Sequence, residues 1–140
     1  MKKLLFVAIA FAGLALVSCN KDQAAVKKLD GTWNVTSSTT TSGSVTVDNM
    51  QYVDKITMTF TACKLKKDEW CTSTSTVSAG SLSFTENDVF KVTNDGTKME
   101  LKCDTCSTST IMTIDELTKT NLKTTWVDGS STTVTEATKQ

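Results

Sequence analysis

From Gly31 onward the large apolar residues recur at every second position, and that spacing decides what the chain can become. Ile56, Met58, Phe60 and Ala62 alternate with Thr57, Thr59 and Thr61, and Met99, Leu101 and Cys103 alternate with Lys98, Glu100 and Lys102. Side chains of a strand point to opposite faces in turn, so each run has one apolar and one wet face. Trp33, Val35 and Ser37 share a side, and Trp70 leads Thr72, Thr74 and Thr76. Leu82 and Phe84 lie among serines, Phe90 and Val92 flank Lys91, and Met112 with Ile114 follows. Leu122, Thr124 and Trp126 make one more run, and the last surrounds Val134. Thr suits the outward positions because it is β-branched yet polar. Gly43, Gly80, Gly96 and Gly129 fall between the runs, and Asn94-Asp95-Gly96 and Asp128-Gly129 are hairpin turn signals. Only Asp115 to Lys119 reads as briefly helical. The expected fold is all-β: a small antiparallel up-and-down barrel of about eight strands. Its aromatics share the face opposite Thr and Lys, which makes an apolar interior rather than the outward apolar band of a membrane barrel.

The first twenty residues follow another rule. Lys2 and Lys3 precede Leu4 to Val17, an unbroken apolar or small run. As a helix it would be roughly 21 Å long, short of the ~20 residues a span requires. Charge, apolar run and then small residues make a removable secretory signal. Leu16-Val17-Ser18-Cys19 resembles the bacterial lipobox. That resemblance implies cleavage before Cys19, a diacylglycerol on its thiol and a further acyl chain, such as palmitate, on its amino end. Two or more chains anchor stably where one does not. Asn20, in place of the Asp that retains such proteins at the inner membrane, implies the outer membrane. Lys21-Asp22 resembles a weak signal for its outer face; periplasmic and cell-surface faces both stay open. The expected organisation is a signal peptide at 1–18, a lipidated tether at 19–28, with a helical turn at Ala24 to Val26, and a barrel domain at 29–140.

Composition narrows the function. Once residues 1–18 are removed, thirteen Lys face fifteen Asp plus Glu, and no Arg occurs. No basic surplus exists for phosphate neutralisation, so nucleic acid is not an expected partner. With no His, Ser-His-Asp and Cys-His nucleophiles cannot be assembled, and most transition-metal sites lose their ligands. Asp115 and Glu116 are adjacent and diverge on a strand, so they make no acid–base pair. The chain is expected to be no enzyme, with no catalytic residue, no metal and no cofactor. Oligomeric state is not legible.

Apart from Cys19, four cysteines form an even set: Cys63, Cys71, Cys103 and Cys106. An exported protein is oxidised, so two disulfides are expected. Three connectivities are possible. Cys63–Cys71 across the Lys64 to Trp70 loop, with Cys103–Cys106 around a turn, is favoured; cross-linking the two hairpins is the alternative. A thioredoxin-like redox site would want a strand-to-helix setting, and a zinc site closer pairs.

Leu29-Asp30-Gly31-Thr32-Trp33-Asn34-Val35 resembles the first-strand L-x-G-x-W pattern of lipocalin-like domains. Ile114-Asp115-Glu116-Leu117-Thr118-Lys119-Thr120-Asn121-Leu122 resembles the I-x-x-L-T-x-T-x-L segment of such domains in bacterial lipoproteins. The resemblance spans about residues 27–138 and implies an eight-stranded barrel whose Trp closes one end. Arg, the family's usual partner beside that Trp, is missing here. Such a barrel either fills with side chains or holds one small ligand. Trp33, Phe60, Trp70, Phe84, Phe90, Met112 and Trp126 are therefore both the expected core and the candidate pocket for a small apolar ligand. The alternative is a structural or interaction protein of the envelope with a solid core, acting through the charged tip Lys64 to Glu69.

Overall fold

A computed structural model describes residues 20–65 and 69–140. The expected signal peptide, Cys19 and the middle of the charged tip lie outside the described residues. Helix α1 (Lys21–Leu29) is followed by β1 (Gly31–Ser42), β2 (Val45–Asp48) and a 3-10 turn (Asn49–Tyr52). Then come β3 (Lys55–Thr61), β4 (Cys71–Ala79), β5 (Leu82–Thr93) and β6 (Lys98–Cys103). β7 (Thr110–Leu117), β8 (Asn121–Asp128) and β9 (Ser131–Lys139) complete the chain. All neighbours are antiparallel, and β1 pairs with β9, so β1 and β3 to β9 close an eight-stranded barrel. The short β2 adds to the upper half of β1 as a hairpin arm.

The expected meander is present because its turns are present. Gly43, Gly80 and Gly129 adopt positive φ between strands, and Asn94 and Asp95 do so as well, as a tight turn between right-twisted strands requires. Thr pairs ladder the outer wall: Thr32 with Thr59, Thr76 with Thr85, and Thr41 with Thr46, all hydroxyl to hydroxyl at 2.9–3.2 Å. Among the described residues no helix is long and apolar enough to cross a membrane.

Two expectations fail locally. Residues 20–28 are not a polar tether with one helical turn but the body of α1, which is packed against the barrel. The Asn20 side chain accepts a hydrogen bond from the Gln23 amide (3.1 Å), Asp22 sits in the first turn, and Lys27 and Lys28 sit in the last. These suit the helix dipole. Ala25, Val26 and Leu29 lie on one face at helical spacing and are all buried. Asp115 to Lys119 is not helical either: its first three residues end β7, with a bulge between Ile114 and Glu116. The bulge leaves Asp115 and Glu116 outside while Ile114 and Leu117 face in.

α1 lies across one end of the barrel and closes it. Trp33 Nε1 donates to the Leu29 carbonyl (2.6 Å), and the Ala62 amide donates to Asp30 Oδ1 (2.7 Å). Gln23 donates to the Cys63 carbonyl and accepts from the Leu65 amide, both at 2.8 Å. On the other side the Gly96 amide donates to Asp22 Oδ1 (2.7 Å). Gly96 has φ +81°, and a Cβ there would stand 3.2 Å from the Lys21 carbonyl oxygen, so the turn sits against the helix because it is glycine. Above this floor the core is Trp33, Phe60, Phe90, Val92, Met99, Ile114, Leu122 and Ala137. Phe60 and Phe90 meet edge to face at 5.1 Å.

Candidate functional site

The seven aromatic and Met positions expected around one pocket separate into three places. Trp33, Phe60 and Phe90 are at most 3% exposed and form the solid floor, with Met112 half-buried against it. Lys139 Nζ stands 5.2 Å from the Trp33 ring centroid and donates to the Lys28 carbonyl (3.0 Å). The cation sought beside this Trp is therefore a lysine from the last strand. Trp70 lies on the outer wall between Lys91 and Lys102, whose ammonium groups are 4.5 and 4.7 Å from its ring. Both lysines alternate with inward residues, so Trp70 does not face the interior. Phe84 and Trp126 are at the opposite end from α1, at 66% and 39% exposure.

That far end is the candidate site, and the 3-10 turn reaches over part of it, with Met50 half-buried against the core. A bulge between Val35 and Ser37 shifts the inward face of β1 from Trp33 and Val35 to Ser38 and Thr40. Ser38 meets Thr135, Thr40 meets Thr133, and Asn49 Nδ2 donates to both Ser38 and Thr40 (3.0 Å each). Thr124 is buried on β8. Across the barrel, β4 and β5 place Ser73 opposite Asp88, Ser75 opposite Glu86 and Val77 opposite Phe84. Buried Cys71 and Phe90 fix which face is inward, and alternation puts all six of these residues on it. The upper half of the wall is therefore lined with hydroxyls and carboxylates, where the lower half is apolar.

Asp88 is the unusual member. It is 8% exposed, and burial, then the charge of Glu86, hold its carboxyl above the ordinary carboxylate range. Ser73, 5% exposed, has no hydrogen-bond partner for its Oγ among the described residues. Buried hydroxyls are rarely left so. β6 pairs with β5 only from Asp88 to Thr93, so Leu82 to Asn87 rises past it as a free edge. That explains the exposure of Phe84 and Glu86 and opens the mouth sideways. The two ends also differ in charge. At the floor Lys21, Lys27, Lys28, Lys119 and Lys139 are interspersed with Asp22, Asp30, Asp95 and Glu116, whereas the elements at the mouth carry Asp48, Asp54, Glu86, Asp88, Asp104 and Asp128 with Lys55.

The disulfides are Cys63–Cys71 and Cys103–Cys106. The first closes the β3–β4 loop beside α1, and the second ties a turn at the mouth, where the Cys106 amide donates to the Cys103 carbonyl (3.0 Å). No cluster of His, Cys, Asp and Glu among the described residues could hold a metal ion. A groove of about 310 Å³ beside α1, which includes Lys21, Lys28, Asp95 and Glu116, lies outside the barrel and mixes both charges. Sequence reasoning missed the polar wall. The signal was there: in Phe84-Thr-Glu-Asn-Asp-Val-Phe90, the period that puts Phe84 and Phe90 inward puts Glu86 and Asp88 there too.

The class these observations define is a closed eight-stranded antiparallel barrel with a helical floor and a polar, acidic mouth. The chain matches no protein-family model and no curated protein sequence.

Proposed function

We propose that this chain is an exported lipoprotein with a lipocalin-like barrel, anchored through acyl chains on Cys19 in the outer membrane, which holds a small ligand at its mouth and catalyses nothing. The observation that carries this reading is the position of α1. The helix begins two residues after Cys19 and closes the barrel at the end opposite the mouth. A lipid on Cys19 would hold the floor towards the bilayer and leave the mouth facing away. Since the floor is solid, the space for a ligand is the upper half, where Phe84 and Trp126 supply apolar surface.

The alternative, an envelope interaction protein, is favoured by the filled lower core. One experiment separates the two. The protein, reconstituted in phosphatidylcholine nanodiscs, is titrated with the apolar dye N-phenyl-1-naphthylamine. Saturable binding that Trp126→Ala weakens supports the ligand-holding barrel; no binding above empty nanodiscs supports the interaction protein. Palmitate labelling that disappears in Cys19→Ala tests the anchor separately.

A further inference from the structure

We infer that the ligand of the mouth is a cationic amphipath, a small organic molecule with an ammonium head and an apolar body. The inference rests on the ligand-holding reading and names the chemistry of that ligand. Four observations carry it. Asp88 and Glu86 stand two apart on the inward face of β5, and Ser73 and Ser75 face them from β4. Directly opposed pairs put their Cβ atoms about 4.5–5.5 Å apart, so the four polar groups make one patch. Ser73 Oγ is enclosed and has no partner among the described residues, which leaves its proton and both lone pairs to be matched. Above the patch on the same face is Phe84, and on the far wall is Trp126, both with ring surface open.

An ammonium group is what this arrangement lacks. Its N–H groups would donate to the Asp88 carboxylate and to Ser73 Oγ, with Glu86 next above. A buried carboxylate costs free energy unless it is paired, and no cation among the described residues stands against Asp88, whereas Lys139 and Lys21 at the floor are already occupied, by Trp33 and by Asp95 (3.6 Å). The acidic surplus of the mouth would draw a cation in and repel an anion. The apolar body would lie on Phe84 and Trp126, whose faces also favour a nearby cation. A fatty acid or a phosphate ester fits poorly, since its charge would meet Glu86 and Asp88.

The test uses the full chain in phosphatidylcholine nanodiscs and two probes that differ only in charge. Dansylcadaverine carries a free primary amine; its N-acetyl derivative is neutral. Binding is read by dansyl fluorescence with empty nanodiscs subtracted. The amine should bind at least tenfold more tightly than the acetylated probe, and its affinity should fall with added salt. Glu86→Gln with Asp88→Asn should reduce that preference to under threefold while leaving the neutral probe unchanged. Ser73→Ala, which touches no charge, should weaken the amine several-fold and spare the neutral probe. Near-UV circular dichroism checks the fold, and salt dependence of the unaltered protein stands as evidence if the double variant does not fold. Equal binding of both probes would overturn the inference and leave the ligand-holding reading in place. Binding of neither would overturn both.

Discussion

Leu29→Ala tests whether α1 is a structural floor or an ornament on a barrel that stands alone. Leu29 is fully buried, at the helix end where its carbonyl receives the Trp33 indole. The substitution removes three carbons, about 2.4 kcal/mol at ~0.8 kcal/mol per methylene. The space they leave is bounded by a helix pinned at both ends and by a tryptophan, so it collapses poorly. Measured Leu-to-Ala losses in such sites span about 2.7–5 kcal/mol. We expect about 3–4 kcal/mol, a large fraction of the ~5–15 kcal/mol that stabilises a typical domain. Urea unfolding followed by tryptophan fluorescence, both disulfides intact, should show a lower midpoint with unchanged slope. Leu82→Ala is the matched control: the same residue, 60% exposed at the mouth, should change stability by less than about 0.5 kcal/mol. A Leu29→Ala cost below about 1 kcal/mol would refute the floor.

Three further outcomes follow from the geometry. Replacing Cys63 and Cys71 together by Ala opens an eight-residue separation and should cost about 2.5 kcal/mol by loop entropy, against about 1.6 for Cys103 and Cys106 with a separation of three; paired urea curves measure both. Gly96→Ala should destabilise by more than about 1 kcal/mol, since positive φ and the nearby Lys21 carbonyl both oppose a Cβ, as thermal unfolding would register. Asp88→Asn should stabilise the ligand-free protein at neutral pH. Its folded carboxyl titrates above 3.8, the ordinary value, so the native state binds the proton more readily and stability falls as pH rises through that window. The groups facing it are Glu86 on its own strand, Ser73 on β4 and the disulfide-bonded Cys103 on β6, so no cation among the described residues offsets the burial. The variant's advantage should vanish below the unfolded carboxyl's range in urea curves taken across pH.

The barrel was legible because its strands alternate and the β1–β2, β4–β5, β5–β6 and β8–β9 turns carry Gly, Asn or Asp at positive φ. The cysteine pairing was legible for a related reason: each bond spans a local loop. α1 was not, because nine residues with two alanines and several charges look like linker until a barrel end is available to bury Val26 and Leu29. Neither bulge could be read, since one extra residue in β1 or β7 leaves no mark in composition yet changes which side chains face in. That is why Ser38 and Thr40 face inward where Ser37 was expected. The exposure of Phe84 and Trp126 depends on how far β5 rises past β6, which is a tertiary matter. Trp70 has apolar size without an inward place, and two lysines hold it outside.

The most direct test of the account is native mass spectrometry of the protein taken from its own membrane with its lipid retained. The account predicts residues 20–140 plus acylated Cys19, four hydrogens lighter for two disulfides, and a fraction carrying a non-covalent amine-bearing molecule. An unlipidated chain that retains residues 1–18 would contradict the anchor on which the orientation of floor and mouth depends.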